Sequence, residues 1–188
     1  MDILLLGPPG AGKGTQGALL ATALGIPKFA TGDLLRDAVR QGTPLGREAK
    51  ALMEAGHLVS DEIILGLIRD ELAKPEAARG VIFDGVVRTI PQADGMATIL
   101  GERGRQIDHV LSFEVSDAEI RQRLESRRTI EGRADDDPEA VLRRLAAYRE
   151  QTAPLIAWYN ARGGVISIDA VGPVEEVAAR VQEAVTGS

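Results

Sequence analysis

The chain contains no cysteine, and aromatic residues make up only 3% of its 188 positions. Without cysteine, disulfide bonds and thiolate metal sites are excluded, so we expect no zinc. The two histidines, His57 and His109, lie far apart in the sequence, which argues against a histidine-based zinc site.

Long apolar runs are also missing from the sequence. No stretch approaches the roughly 20 apolar residues of a membrane-spanning helix, and only a short apolar run follows Asp2. We therefore expect no signal peptide, no membrane contact and a cytoplasmic location. The net charge of −6 argues against a general nucleic-acid binder. The length allows one sizeable core, and we expect a monomer.

Lysine is scarce, whereas arginine is abundant. The sequence has 4 lysines and 18 arginines, and eight of the arginines lie between Arg121 and Arg149 among only six acidic residues. A locally basic segment in an acidic chain favours a phosphate-rich small ligand. The alternative, a solvated helix face, remains open for Arg121, Arg143 and Arg149.

The amino-terminal stretch has the pattern of a phosphate-binding loop. Apolar residues 3–6 predict a strand buried on both faces, and good helix formers over 16–24 predict a helix. Between them, the spacing Gly7-x4-Gly12-Lys13 fits the Walker A pattern, although Gly14 stands where serine or threonine is usual. Such a loop holds phosphate with backbone N–H groups at a helix N-terminus, which predicts nucleotide binding.

The rest of the chain alternates strands with helices. Further strands are predicted at residues 28–30, 80–85, 109–115 and 165–168. Helices are predicted to begin near residues 31, 45, 61, 91, 116 and 138 and after 173, with N-caps at Thr31, Ser60, Ser116 and Asp137. Pro154 should interrupt the helix that begins at 138. This alternation predicts an α/β fold, with a five-stranded parallel sheet of the P-loop NTPase type covered by helices on both faces.

Further motifs follow the loop in a fixed order. They are Thr31-Gly-Asp-Leu-Leu-Arg36, Asp84-Gly-x-x-Arg88-Thr-x-x-Gln92, Arg123-x-x-x-Arg127, Arg133-Ala-Asp-Asp136, Arg144 and Gln151-Thr-Ala-Pro-Leu155. Together they resemble adenylate kinase of the bacterial short-lid type over nearly the whole chain. The resemblance implies a core of residues 1–29, 60–126 and 138–188. It also implies a helical NMP-binding insertion at 30–59 and a short lid at 127–137.

The activity implied by this resemblance is reversible phosphoryl transfer from MgATP to AMP, giving two ADP. Catalysis of such a step is chiefly positioning and charge neutralisation, which needs many fixed cationic donors. The implied catalytic residues are Lys13, Asp84, Arg88, Arg127, Arg133 and Arg144. The implied ATP-binding residues are Gly10, Ala11, Gly12, Lys13, Gly14, Thr15, Arg123, Arg127 and Gly172.

The resemblance also implies an AMP site. Its residues are Thr31, Arg36, His57, Leu58, Val59, Gly85, Val86, Val87, Arg88, Gln92, Arg133 and Arg144. Thr31 favours AMP, because relatives that phosphorylate UMP or CMP usually carry alanine there. The amide of Gln92 is expected to read the adenine edge with a paired donor and acceptor.

Magnesium is the one cofactor we expect, bound together with ATP. Mg²⁺ keeps much of its hydration shell, so Asp84, at the end of a buried strand, is expected to order the ion through water molecules. Thr15 and Asp33 are further candidates for contact with the ion.

Residues 86–87 depart from the family pattern Asp-Gly-Phe-Pro-Arg-Thr, because Val86-Val87 replaces Phe-Pro. The usual proline follows a cis peptide bond, and a non-proline cis bond costs about 2.5–4 kcal/mol. We therefore predict a trans bond between Val86 and Val87 with a shifted loop path, or else retained strain. Either outcome would weaken the placement of AMP.

Three other functions are weighed against this one. A kinase for UMP or CMP is the nearest alternative. A GTPase switch is disfavoured, because the only asparagine, Asn160, lies in Asn-Ala-Arg-Gly and not in an Asn-Lys-x-Asp motif. A nucleotide sensor that binds without catalysis stays open because of the altered 86–87 loop.

Overall fold

The computed structural model describes residues 1–55, 57–131 and 136–187, and its sheet has the predicted five parallel strands. The strand order is β2-β3-β1-β4-β5. The strands are β1 Asp2–Leu6, β2 Lys28–Ala30, β3 Val81–Asp84, β4 His109–Glu114 and β5 Ile166–Asp169. Every neighbouring pair is parallel, so all five carboxyl ends meet at one edge. The predicted α/β fold class is confirmed.

The helices lie where the sequence pattern places them. They are α1 Lys13–Leu24, α2 Thr31–Gln41, α3 Pro44–Glu54, α4 Asp61–Leu72, α5 Ile90–Gly101, α6 Asp117–Glu131, α7 Pro138–Ala147, α8 Pro154–Asn160 and α9 Val174–Thr186. A 3₁₀ turn covers Pro75–Arg79 and a π turn covers Tyr148–Thr152. Among these helices, none is both long and apolar enough to traverse a bilayer.

The proline at position 154 interrupts its helix as predicted. The segment that begins at Pro138 runs as α7, passes through the π turn and resumes as α8 at Pro154. Proline has no N–H to donate to the preceding turn, which explains the break. Helix α6 ends at Glu131, three residues beyond the predicted end near 128, so it extends into the segment expected to form the lid.

Strand β1 lies at the centre of the sheet and is buried on both faces, as predicted. Ile3 and Leu5 face one layer, where α1 and α9 supply apolar side chains. Leu4 and Leu6 face the other layer, which is filled by α4, α5 and α8. Because side chains alternate along a strand, two apolar layers require the unbroken apolar run seen in the sequence.

Three of the four predicted N-caps are confirmed. Ser60, Ser116 and Asp137 each accept a hydrogen bond on the side chain from a backbone N–H two or three residues later. The prediction for Thr31 was wrong, because Ala30 occupies the N-cap position of α2 and makes no side-chain capping bond. The hydroxyl of Thr31 instead donates to the carbonyl oxygen of Gly85 at 3.1 Å, which ties α2 to the loop after β3.

Candidate functional site

A cleft opens at the carboxyl edge of the sheet, where open α/β sheets bind their ligands. The phosphate-binding loop follows β1, Thr31 follows β2 and Gly85 follows β3, so three predicted motifs reach this edge. All predicted AMP-site residues that the structure describes line the cleft, and so does Lys13 of the phosphate-binding loop. These AMP-site residues are Thr31, Arg36, His57, Leu58, Val59, Gly85, Val86, Val87, Arg88, Gln92 and Arg144. Arg133 lies outside the described residues.

The phosphate-binding loop ends at Gly12, whose φ of 92° is left-handed. Only glycine adopts this conformation at little cost, and it allows α1 to begin at Lys13, inside the loop pattern. The first N–H groups of a helix have no partner within the helix. The start of α1 therefore places those of Lys13, Gly14 and Thr15 beside the loop, in the arrangement that binds phosphate.

The ammonium group of Lys13 lies inside this loop. It donates to the carbonyl oxygens of Gly7, at 2.6 Å, and Pro8, at 2.9 Å. Burial lowers the pKa of Lys13 from 10.5 to about 8; the charge of Asp84 opposes this shift, and those of Arg88 and Arg144 add to it. A desolvated amine surrounded by guanidinium groups marks a site that favours an anionic ligand.

Two predicted arginines converge on one buried carboxylate. Asp136 accepts hydrogen bonds from Nε and Nη2 of Arg127, at 2.6 and 2.5 Å, and from Nη1 of Arg144, at 3.0 Å. Arg127 belongs to α6 and Arg144 to α7, so the shared carboxylate joins the two helices. Guanidinium groups held in this way are oriented before any phosphate arrives.

Two more arginines stand on other elements of the cleft. Arg36 on α2 donates to Asp33 at 2.5 Å. Arg88, in the loop after β3, donates from Nε to the carbonyl oxygen of Gly85 at 2.9 Å. Because these side chains come from separate elements, the cleft can hold one phosphate from two directions.

The amide of Gln92 is bonded at both ends and only 1% exposed. Its Oε1 accepts from the backbone N–H of Arg88 at 2.7 Å, and its Nε2 donates to Oδ1 of Asp61 at 2.7 Å. The same Asp61 oxygen accepts from the hydroxyl of Thr89 at 3.0 Å. Gln92 is therefore part of a fixed polar network at the wall of the cleft.

The Val86–Val87 peptide bond is trans, as are the other peptide bonds between described residues. The trans bond is the one predicted for the replaced Phe-Pro pair, while the shifted loop path remains a prediction. Both valines are buried and line the cleft. The weaker placement of AMP expected from this loop remains a prediction.

The carboxylates predicted to order magnesium lie near a lysine that was not predicted. Lys28 Nζ is 3.8 Å from Oδ2 of Asp84 and 3.6 Å from Oδ2 of Asp33, and it donates to the carbonyl oxygen of Gly14 at 3.3 Å. The ammonium group shows that a cation fits between these acids.

The binding of magnesium near Asp84 and Asp33 would depend mainly on ligands from the nucleotide. Within the described ranges, no group of three or more histidine, aspartate or glutamate side chains is placed to hold a metal ion. Asp84 therefore fits an ion whose remaining ligands are phosphate oxygens and water, as Mg²⁺ prefers. Thr15 is exposed in the first turn of α1.

The remaining predicted ATP-site residues border the loop on its other side. Arg123 donates to the carbonyl oxygen of Ala170 at 2.9 Å and to Glu119 at 2.8 Å. Together with Arg127 it borders a shallow depression on α6. Gly172 has a left-handed φ of 118° just before α9. These residues lie near the loop but outside the cleft that contains Gln92.

Comparison with known proteins decides the family. A family model described as adenylate kinase matches residues 5–164. The adenylate kinase of Gemmatimonas aurantiaca is 49% identical over 98% of this chain and 98% of its own. That of Thermobifida fusca is 47% identical over 98% and 97%, and that of Thermus thermophilus 48% over 97% and 95%. The chain belongs to the adenylate kinase family.

Three polar residues in or next to this adenylate kinase cleft escaped the sequence reasoning. Lys28 looked like an ordinary strand residue, and Asp61 was assigned only to the first turn of a helix. Thr152 lies in a quoted motif without a role, yet its hydroxyl donates to the carbonyl oxygen of Arg88 at 2.9 Å. The position of Asp61 next to the N-cap Ser60 was the one usable signal, because such a residue lies at a helix end where ligands gather.

Proposed function

We propose that this cleft transfers a phosphoryl group reversibly from MgATP to AMP, giving two ADP. Membership of the adenylate kinase family supports this reaction, and the relatives' names give no support to UMP or CMP as acceptor. The observation that carries the proposal is one cleft in which Lys13, Arg36, Arg88 and Arg144 from separate elements surround the mouth of a phosphate-binding loop.

The ATP side is assigned to the loop and to α6. The backbone N–H groups at the start of α1 hold the phosphates, together with Lys13. Lys13 would exchange its bonds to Gly7 and Pro8 for bonds to phosphate oxygens. Arg123 and Arg127 extend this side along α6. Gly172, before α9, completes the ATP site, with Gly10 and Ala11 inside the loop.

The AMP side is assigned to α2 and to the loop after β3. Arg36 and Arg88 hold the phosphate of AMP from two directions. The backbone of 57–59 and the amide of Gln92 receive the base, beside the apolar side chains of Leu58 and Val59. Thr31 supports this pocket indirectly, because its hydroxyl fixes the carbonyl of Gly85.

Charge neutralisation accounts for the chemistry. The transferred group spreads negative charge over its oxygens between two anionic ligands, and fixed cations stabilise that charge without reorganising. Lys13, Arg88, Arg127 and Arg144 supply the cations, and Arg133 is assigned the same role. Bound Mg²⁺ would add positive charge on the phosphates, with Asp84 ordering its water and with Thr15 and Asp33 as further candidates for contact with the ion.

The segments 30–59 and 127–137 are assigned to AMP binding and to the lid, on a core of 1–29, 60–126 and 138–188. Closure of the two segments over both nucleotides would exclude water, which otherwise accepts the phosphoryl group. Function as a cytoplasmic monomer belongs to the same proposal.

A coupled assay of ADP formation from ATP and AMP tests the proposal, with UMP and CMP as competing acceptors. Arg88→Ala should lower the rate by roughly 10³- to 10⁵-fold, the range that an arginine contact to a transferring phosphoryl group supplies. Arg162→Ala is the matched control, because Arg162 stacks on Trp158 and does not line the cleft. Faster transfer to UMP or CMP, or an active Arg88→Ala variant, would contradict the assignment.

A further inference from the structure

The orientation of the Gln92 amide is determined by two neighbours that can each form only one kind of hydrogen bond. The backbone N–H of Arg88 can only donate, so the amide atom facing it is the oxygen Oε1. A carboxylate without a proton can only accept, so the amide atom facing Asp61 is the nitrogen Nε2. Turning the amide over would place an NH₂ group against an N–H and an oxygen against a carboxylate.

Asp61 is itself held in place by the start of α5. Its Oδ1 accepts from the hydroxyl of Thr89, and that hydroxyl accepts from the backbone N–H of Gln92 at 3.2 Å. Asp61 also begins α4, where the positive end of the helix stabilises a negative side chain. The carboxylate that orients the amide is therefore fixed from two helices.

An amide in a fixed orientation offers a ligand one hydrogen-bond acceptor and one donor at defined positions. After the bonds to Arg88 and Asp61, Oε1 keeps one lone pair and Nε2 keeps one hydrogen. A 6-aminopurine presents an amino donor beside the N1 acceptor, which matches this order. A 6-oxopurine presents an oxygen acceptor beside an N1–H donor, which reverses it. The base cannot turn over to compensate, because its phosphate is held by Arg36 and Arg88.

We propose that Asp61 is a specificity-determining positioning residue, which acts through Gln92 to select 6-aminopurine monophosphates against 6-oxopurine monophosphates. This inference rests on the proposed function, because it needs the base in the pocket beside Gln92. Asp61 does not touch the reacting phosphates. Its effect is on the choice of acceptor and not on the transfer step.

The test compares AMP with inosine monophosphate as acceptors, with ATP as donor, in Asp61→Ala and Asp61→Asn. The measured quantity is the ratio of the two kcat/KM values. For Asp61→Ala the ratio should fall about 10- to 100-fold, because two hydrogen bonds of ordinary strength no longer distinguish the bases. Asp61→Asn keeps an acceptor oxygen but can also turn over, so its ratio should fall by a smaller factor.

Glu62→Ala is the matched control, because Glu62 lies in the same first turn of α4 but is exposed. Its ratio should equal that of the unchanged protein. A ratio within about twofold of the unchanged protein in folded Asp61→Ala, or equal losses with both acceptors, would overturn the inference, since a purely structural role affects both alike. If Asp61→Ala does not fold, Asp61→Asn decides by the same criterion. Failure of the proposed function looks different, because the unchanged protein would then form no ADP from AMP.

Discussion

Asp136 holds Arg127 with two hydrogen bonds, 2.6 and 2.5 Å long, while the same carboxylate accepts a third bond from Arg144. The Asp136 side chain is fully buried, and the two guanidinium groups are largely so. One acid therefore bridges two cations, one on α6 and one on α7. Arg127 and Arg144 are therefore both oriented by this acid.

Asp136→Asn should lower both stability and activity. The neutral side chain removes the buried negative charge that both guanidinium groups share, and removing one partner of a buried ion pair costs about 3–5 kcal/mol. Urea unfolding should show a loss near the lower end of that range. The kcat/KM for ATP should fall at least about tenfold, since Arg127 loses its bidentate support.

The matched control is Asp117→Asn. Asp117 pairs with Arg149 at the surface, where both side chains are more than half exposed. An exposed pair contributes about 0–1 kcal/mol, so this variant should unfold nearly as the unchanged protein does. Equal effects of the two substitutions would contradict the role given to Asp136.

The lowered pKa of Lys13 predicts that the activity falls at alkaline pH. Burial places its pKa at about 8 in the free protein, and the charged form is the one that holds phosphate. The kcat/KM for ATP reports the free enzyme, so it should fall as the pH rises through about 8. Bound polyphosphate favours the ammonium form of Lys13, so kcat should begin to fall only at a higher pH than kcat/KM does. The measurement is a pH–rate profile at low and at saturating ATP.

Lys13→Arg provides the control for this profile. A guanidinium group stays protonated throughout the accessible range, so the residual activity of the variant should lack the fall near pH 8. Persistence of the same alkaline limb in Lys13→Arg would assign the titration to another group.

Local patterns explain why the fold was predictable from the sequence. The apolar run before Gly7 and the glycines after it describe a strand, a turn and a helix within about twenty neighbouring residues. Ser60 and Asp137 revealed their helix starts because a cap acts on N–H groups two or three positions away. Such signals need no knowledge of distant parts of the chain.

Contacts between distant residues explain what could not be predicted. Threonine is a residue type that favours N-cap positions, which is why Thr31 was predicted as a cap. Its hydroxyl instead bonds to the carbonyl oxygen of Gly85, 54 residues away, and not to the start of α2. Gln92 was expected at the adenine edge, yet its bond to Asp61 spans 31 residues. The position of Lys28 beside Asp84 likewise follows only from the packing of β2 beside β3.

Lys28→Gln tests the relationship between this lysine and magnesium. The ammonium lies 3.8 Å from Asp84 and 3.6 Å from Asp33, so it opposes a second cation at the same acids. Removing one positive charge several ångströms from a divalent ion at a partly exposed site changes its free energy by about 1 kcal/mol. The concentration of free Mg²⁺ for half-maximal rate, at fixed ATP, should therefore fall about fivefold.

Lys74→Gln is the control for that titration, because Lys74 pairs with Glu71 at the end of α4, away from the cleft. Its Mg²⁺ midpoint should not move. A rise of the midpoint in Lys28→Gln would show that the lysine supports the metal-ordering acids and does not oppose the ion.

Gly46 is required by the packing of α3 on α2. A methyl group added at this residue would lie 2.0 Å from the carbonyl oxygen of Ala38 and 2.2 Å from its carbonyl carbon. Backbone cannot move aside as a side chain can, so Gly46→Ala must separate the two helices. Overpacking costs about 1–3 kcal/mol, and this contact with backbone should reach the upper part of that range.

The effect of Gly46→Ala should also reach the AMP side of the reaction. Since α2 carries Arg36, a displaced helix pair should raise KM for AMP more than KM for ATP. Gly66→Ala is the matched control, because Gly66 lies in α4 with no atom within 4 Å of an added methyl group. Alanine there should stabilise the helix by about 0.5–1 kcal/mol and leave both KM values unchanged. Equal stability of the two variants in urea would show that α3 does not depend on this close approach.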